Sequence, residues 1–425
     1  MEYMELQDKP KFGKIQSAAC SLASLTDRKM GKRRRHAELE EEPPRFGYDG
    51  YTPSRAGEEV AKVDPGTLTP EKFFDEFIAR RRPAIIEGTP DINLTPGHLT
   101  KHVGDAVVSV ERRSTLSEGY GKGSRVEMTM ADFVKNLASD KLYLTSQDTD
   151  GELFVSPVRE LHGRGDIPLR PSLVSSLVPA NISLWLGSSA SSASSSGLHH
   201  DYHDNLYVLL SGRKSFKLYS PRYAREMQTH GKIGRVHGNG QISYVGHERH
   251  ADGSTERERR RLEAKAKVAE AGRRLQALEE VDGTEPSALA AAEEDLERAL
   301  DLELSMEEEE EEEGFSGAEA TAMDGSCPRN FSSLSEERQK SLKDSCKAVE
   351  ANIGAGEMLY LPCGWFHNVF SRNTESGYHL ALVSGCRLAG RPHLNSRSML
   401  TTFSSPSRLS CVELLDVSPR WRLLV

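Results

Sequence analysis

The stretch that most constrains this chain is residues 197–220, GLHHDYHDNLYVLLSGRKSFKLYS. Six consecutive residues, His199 to Asp204, hold three histidines and two aspartates, and an apolar run follows at once. The run reads as two strands, 204–210 and 214–219, joined through Ser211-Gly212. Side chains two apart in a strand point the same way, so His199 and Asp201 share one face and His200 and Tyr202 the other. His199 and His203 would align only on a helix, and the β-rich NLYVLLSG argues against one. The pair with metal-ligand geometry is therefore His199 and Asp201. Two such ligands hold a divalent ion poorly without a third, and two histidines with one carboxylate leave three octahedral positions open. Downstream, GWFHNVF puts Trp365, His367 and Val369 on one face of a short strand, which makes His367 the candidate third ligand. Taken alone, His367 reads equally as a satisfied buried histidine, and an isolated His-x-Asp as coincidence.

The fourth member of the constellation is Lys214. On KSFKLY it shares its face with Phe216 and Leu218, where an unpaired ammonium is costly. Either it reaches water at a strand end, or it meets an anion brought by a ligand. A molecule that chelates a metal with one end and presents a carboxylate at the other has the chemistry of 2-oxoglutarate.

The rest of the chain sets bounds. Its 425 residues allow one large domain or two ordinary ones, and 37% hydrophobic content suggests a folded part diluted by polar segments. The net charge of −9 is unevenly spread. No apolar run is long enough to span a bilayer and MEYMELQDKPKFGK has no signal core, so a soluble, non-secreted protein is expected. Six cysteines without a CxxC pair fit free thiols in a reducing compartment. Residues 1–64 read as disordered. They contain GKRRRH, a short basic run that suits a nuclear import signal or a solvated tail, so the expected location is nucleus or cytoplasm.

Order is expected from residue 65. Thr69 caps a helix that begins at Pro70, shows Phe73, Phe74, Phe77 and Ile78 on one face, and stops at Pro83 before a strand at 84–86. A second helix starts after Thr129, and strands follow at KLYLTS and NISLWLGSS. Residues 246–318 read as a charged helical or disordered insertion. Val268, Ala271, Leu275 and Leu278 on its basic half would face Leu289, Leu296 and Leu300 on its acidic half, which ends in the seven glutamates Glu307–Glu313. Self-pairing is the expected use of these charges, and no direct nucleic-acid or membrane contact is expected.

The pattern of His199-x-Asp201, Asn205, Lys214 and a distal histidine in GEMLYLPCGWFHNV resembles the JmjC/cupin-like Fe(II)- and 2-oxoglutarate-dependent oxygenases, most closely the small JmjC lysyl-hydroxylases. The resemblance runs from about Thr67 to Leu382 without the insertion. It implies a mainly β fold with flanking helices, a double-stranded β-helix or jelly roll, split into residues 65–245 and 319–385 with an atypical tail at 386–425. It further implies that His199, Asp201 and His367 bind Fe(II) and that Lys214 pairs with the distal carboxylate of 2-oxoglutarate. Tyr143 and Ser196 match supporting hydroxyls, and Asn205 a position beside the metal. The activity implied is hydroxylation of a protein side chain, for which lysine is a candidate. Demethylation of lysine and an inactive JmjC-like interaction protein are the alternatives, with a zinc or manganese cupin a weaker one. The sequence leaves the oligomeric state open. Two positions depart from the family: Val383 and Gly385 stand where Asn and Trp usually follow the distal histidine.

Overall fold

The computed structural model describes residues 45–88, 92–113, 123–139, 141–146, 153–169, 171–189, 194–281, 284–312, 327–373 and 375–388. Two facing β-sheets form the body. The larger has nine strands in the order Lys62–Val63, Ala84–Glu87, Glu357–Leu361, Asp204–Ser211, His379–Leu388, Leu177–Gly187, Leu142–Thr145, Val107–Arg112 and Ser124–Thr129. The smaller has five: Glu58–Glu59, Val349–Gly354, Arg213–Tyr219, Phe366–Arg372 and Ser194–Ser195. The strands Leu177–Gly187, Ser194–Ser195, Asp204–Ser211 and Arg213–Tyr219 alternate between the two sheets, and so do Val349–Gly354, Glu357–Leu361, Phe366–Arg372 and His379–Leu388. The chain crosses at Gly212, between 204–211 and 213–219, and at Gly356, between 349–354 and 357–361; both have positive φ, 95° and 90°. A side chain at Gly212 would also place its Cβ 2.5 Å from that of His379. Glycine is needed there on both counts. This alternation is the jelly roll that the family resemblance implies.

Two apolar layers follow from strand alternation. Tyr207, Leu209, Phe216, Leu218, Val369 and Val383 belong to the cluster between the sheets. Leu206, Val208, Leu380 and Leu382 face the other way, onto the cluster that includes Phe73, Phe77, Ile78 and Phe133 of the flanking helices. Those helices start where expected: Thr69 Oγ1 accepts from Lys72 N at 3.3 Å, and Thr129 Oγ1 from Asp132 N at 3.1 Å.

The helix Pro70–Phe73 widens into a π-turn over Phe74–Ile78 and ends near Arg81, which has φ 56° without being glycine. Such a backbone costs about 1–2 kcal/mol and persists when its surroundings fix it. The fixing groups are plain. Arg81 Nη1 donates to Asp204 Oδ2 at 2.9 Å, and Nη2 donates to Asp204 Oδ1. Arg81 Nε donates to Asn239 O at 2.9 Å, while its carbonyl accepts from Trp365 Nε1 at 3.1 Å. Asp204 accepts two further bonds, from Tyr360 Oη at 3.0 Å and Cys363 N at 2.9 Å. Arginine and aspartate side chains are 6% and 4% exposed, so neither charge is compensated by water.

Two expected boundaries change, and the insertion takes the helical of its expected forms with a different seam. Residues 45–64 are ordered where disorder is expected: Arg45–Phe46 pairs with Ile233–Val236, Glu58–Glu59 with Val349–Gly354, and Tyr51 stacks on Trp365 at 6.2 Å. Two-residue strands leave no periodicity to read. The insertion is a hairpin of helices Glu256–Glu279 and Pro286–Glu312, opened by a Thr255/Glu258 capping box. Its most buried seam is alanine (Ala264, Ala271, Ala292, Ala299) rather than leucine, and Leu300 is 48% exposed. Alanines let the helices approach closely, and Arg274 pairs with Asp295 across the hairpin at 2.8 Å, as the opposed charges suggest. Finally, the last strand continues to Leu388, past the expected boundary at 386. Residues 1–44, 190–193, 313–326 and 389–425, with the GKRRRH run and most of the atypical tail, lie outside the described residues.

The buried clasp yields a direct expectation. Arg81→Met strands the Asp204 carboxylate in the core and should cost about 3–5 kcal/mol. The thermal midpoint should then drop by about 10 °C in calorimetry.

Candidate metal centre

His199 and His367 face each other across an antiparallel bridge: His199 N donates to His367 O at 3.0 Å, and His367 N returns the bond at 2.7 Å. Each ring contacts a carbonyl through Nδ1, His199 that of Gly197 at 3.0 Å and His367 that of Trp365 at 2.9 Å. Nδ1 therefore carries the proton, and both Nε2 lone pairs are directed at the space between the rings. Asp201 closes that space. Its Oδ2 is 3.5 Å from His367 Nε2 and its Oδ1 3.9 Å from His199 Nε2. The three ligand atoms lie within 4.8 Å of one another, close enough to share one cation, and they are the one such group among the described residues.

Supporting contacts hold this set in place. Asn205 Nδ2 donates to Asp201 Oδ2 at 2.5 Å, and Gly364 N donates to the Asp201 carbonyl at 2.9 Å. Phe331 stacks on His199 at 4.7 Å. Burial raises the Asp201 carboxyl, but His367, His199, His200 and the Asn205 amide outweigh it and hold the group below its usual range. Burial, aided by His199, pushes His367 down to about 4 against the pull of Asp201. Near neutral pH the set is thus a carboxylate facing a neutral His367 imidazole. His200 points the other way, as strand alternation requires. It is fully buried, its Nε2 lies 2.7 Å from Tyr244 Oη, and burial pushes it down to about 3.

Lys214 does not reach water. It is 2% exposed, on the inner face of Arg213–Tyr219, with Nζ 5.2 Å from the Tyr207 ring centre and 5.7 Å from that of Trp185. No carboxylate among the described residues pairs with it, and burial pushes the amine down to about 7. Tyr207 escapes sequence reading because its strand is apolar on both faces, and Trp185 because its face, with Asn181, Ser183 and Gly187, does not read as interior. Tyr143 is buried and meets Trp185 edge-on at 6.5 Å, which places it at the Lys214 end of the interior. Ser196 serves the backbone instead. Its Oγ accepts from Val369 N and donates to Gly197 O, both at 3.0 Å. The cross-strand neighbour of Lys214 in the register is Ser371, which is buried.

Residues 70–384 match the family model described as a cupin-like domain. JmjC domain-containing protein 4 of Schizosaccharomyces pombe is 30% identical over 404 residues, which cover 78% of this chain and 84% of that protein. The chain belongs to the JmjC/cupin-like family. Members are typically Fe(II)- and 2-oxoglutarate-dependent oxygenases, and the His199, Asp201 and His367 set suits a metal on chemical grounds. The two departures from the JmjC pattern have a structural explanation at one position. Gly385 lies between Asn205 and Asn181 in the register, and Asn181 Oδ1 accepts from Gly385 N at 3.1 Å. A Cβ on Gly385 would come within 2.4 Å of that oxygen. The Asn181 amide thus fills space that a larger residue at 385 would need. Val383 packs into the interior beside Tyr207, its cross-strand partner.

One Mn(II) per chain should bind in an anaerobic electron-paramagnetic titration, and His199→Ala should abolish it. Asn205→Ala should weaken it by about 10–100-fold, because the carboxylate loses its orienting partner.

Proposed function

We propose that this protein is an Fe(II)- and 2-oxoglutarate-dependent dioxygenase that hydroxylates a side chain of a protein substrate, with lysine the first candidate. The observation that carries this reading is Lys214: a buried ammonium without a carboxylate partner among the described residues, inside the same barrel as a two-histidine, one-carboxylate set. His199, Asp201 and His367 would hold the iron, and Lys214 the far carboxylate of the oxoacid. Bound together, iron and 2-oxoglutarate supply the oxidising power that places one oxygen atom of O2 on a C–H bond, leaving succinate and CO2. The chain's own residues do the rest. The Gly197 and Trp365 carbonyls fix both imidazoles with Nε2 inward, Asn205 holds one carboxylate oxygen, and Trp185 and Tyr207 keep water from the lysine.

The family likeness and the S. pombe relative's name support the JmjC class. Substrate, nuclear or cytoplasmic location and oligomeric state belong to this proposal. No helix among the described residues is long and apolar enough to cross a membrane. The absence of asparagine at Val383 favours, as a second reading, an inactive interaction protein whose binding element is the acidic hairpin.

The test is turnover with Fe(II), 2-oxoglutarate, O2 and lysine-containing protein substrates. Succinate formation with an addition of about 16 Da on the substrate, lost in Asp201→Ala, supports hydroxylation. Release of formaldehyde with loss of a methyl group would turn the reading to demethylation, and neither product to the interaction protein.

Lys214 also sets a pH dependence. Its amine titrates near 7 when folded and 10.5 when free, so the unfolded chain binds more protons between those values. The buried amine therefore costs most stability below pH 7, and the cost fades as pH rises towards 10.5. A carboxylate ligand needs the ammonium, so 2-oxoglutarate affinity should fall above pH 7 by up to about tenfold per pH unit. Calorimetric titration should show no such fall in Lys214→Arg.

A further inference from the structure

At the Lys214 end of the barrel the interior holds two more donors without an acceptor among the described residues. His379 is fully buried at the start of the last strand. Its Nε2 lies 3.1 Å from Ser189 Oγ, while its Nδ1 is buried with no hydrogen-bond partner. Trp185 stands over Lys214, and its indole Nε1 is likewise shielded from solvent and unpartnered. Both belong to the same patch. His379 and Tyr143 both pair with Gly187 in the register, and the Tyr143 ring lies 5.8 Å from His379 and 6.5 Å from Trp185. Gly187 lets these rings close in: a Cβ there would meet Tyr143 Cδ2 at 2.4 Å and His379 Cε1 at 3.2 Å.

A buried N–H without an acceptor costs about 1–3 kcal/mol, and a buried ammonium without an anion more. Native interiors seldom keep several such groups together unless something brought in from outside satisfies them. Burial, Lys214 and Arg113 all disfavour the imidazolium form of His379, so its ring is neutral with a single proton. When Ser189 donates to Nε2, that proton sits on Nδ1 and is offered to the interior. One full positive charge and two neutral donors match one carboxylate, with an oxygen on the ammonium and lone pairs left for two N–H groups.

We infer that His379 and Trp185, together with Lys214, form the binding site for the distal carboxylate of the oxoacid, in place of the Ser196 hydroxyl that is committed to the backbone. The inference rests on the function proposed above and assigns to that site two binding residues that the sequence does not reveal. With the carboxylate held by other donors, the Ser196 hydroxyl ties Gly197 to the Phe366–Arg372 strand.

The test is anaerobic titration of the Fe(II)-loaded protein, read by the visible metal-to-ligand charge-transfer band. Two ligands are compared, 2-oxoglutarate and 2-oxobutanoate, which lacks the second carboxylate. His379→Phe and Trp185→Phe should each weaken 2-oxoglutarate by about tenfold or more, the loss expected for one hydrogen bond to a charged group. Both should leave 2-oxobutanoate unchanged. His379→Asn, which returns an N–H near the position of Nδ1, should recover most of the affinity. Variants that titrate 2-oxoglutarate like wild type overturn the inference. So does an equal loss for both ligands, which would mark a packing role only. A wild-type protein without any band removes the dioxygenase reading itself, and this inference with it.

Discussion

The ion pair between Arg81 and Asp204 is the contact on which the rest depends. Taking both charges out of water is expensive, and attraction offsets that cost only with good geometry and every lone pair occupied. Asp204 meets the condition with four donors from three residues: the guanidinium of Arg81, which gives two, the hydroxyl of Tyr360 and the amide of Cys363. Asp204 immediately precedes Asn205, which holds Asp201, and Cys363 precedes Gly364, which holds the Asp201 backbone. The clasp therefore ties the segment carrying two ligands to the segment carrying the third. The left-handed backbone at Arg81 is the local strain that this arrangement tolerates.

From there the interior is polarised along its length. At one end the imidazoles and carboxylate face one another across a space suited to a cation. At the other, Lys214, Trp185 and His379 present donors without acceptors. An apolar band that includes Phe216, Leu218, Val369 and Val383 lies in the same cluster between the sheets. An interior with ligands for a cation at one end and donors for an anion at the other is well matched to a chelating oxoacid with a second carboxylate. The helical hairpin is anchored beside the cation end: Glu258 pairs with Arg387 at 3.2 Å, and Arg387 reaches His203 at 3.2 Å.

Much of this was legible in the sequence, and the reason is periodicity. Alternation separated His199 and Asp201 from His200, and the structure sends His200 to Tyr244 on the opposite side. The same rule put Lys214 on the face of Phe216 and Leu218. The helix caps at Thr69 and Thr129 were readable because the signal is local. What stayed hidden depends on contacts distant in sequence. Nothing near Arg81 announces a partner 123 positions away. Asp204 looked like one more acidic residue in a metal motif, although its charge is spent on the fold. Tyr207 and His379 lie on strands whose neighbours are apolar on both sides, so no alternation marks them, and Trp185 shares its strand face with Asn181, Ser183 and Gly187, which do not announce an interior site. The ordered segment before residue 65 consists of two-residue strands, too short for any pattern, and the hairpin seam used alanines where leucines were the obvious choice.

The most direct measurement is a crystal structure of the protein grown anaerobically with Mn(II) and N-oxalylglycine, an unreactive mimic of 2-oxoglutarate. The account predicts anomalous density for one metal between His199, Asp201 and His367, with the mimic's free carboxylate against Lys214. A metal bound elsewhere, or a mimic whose free carboxylate turns away from Lys214, would contradict it.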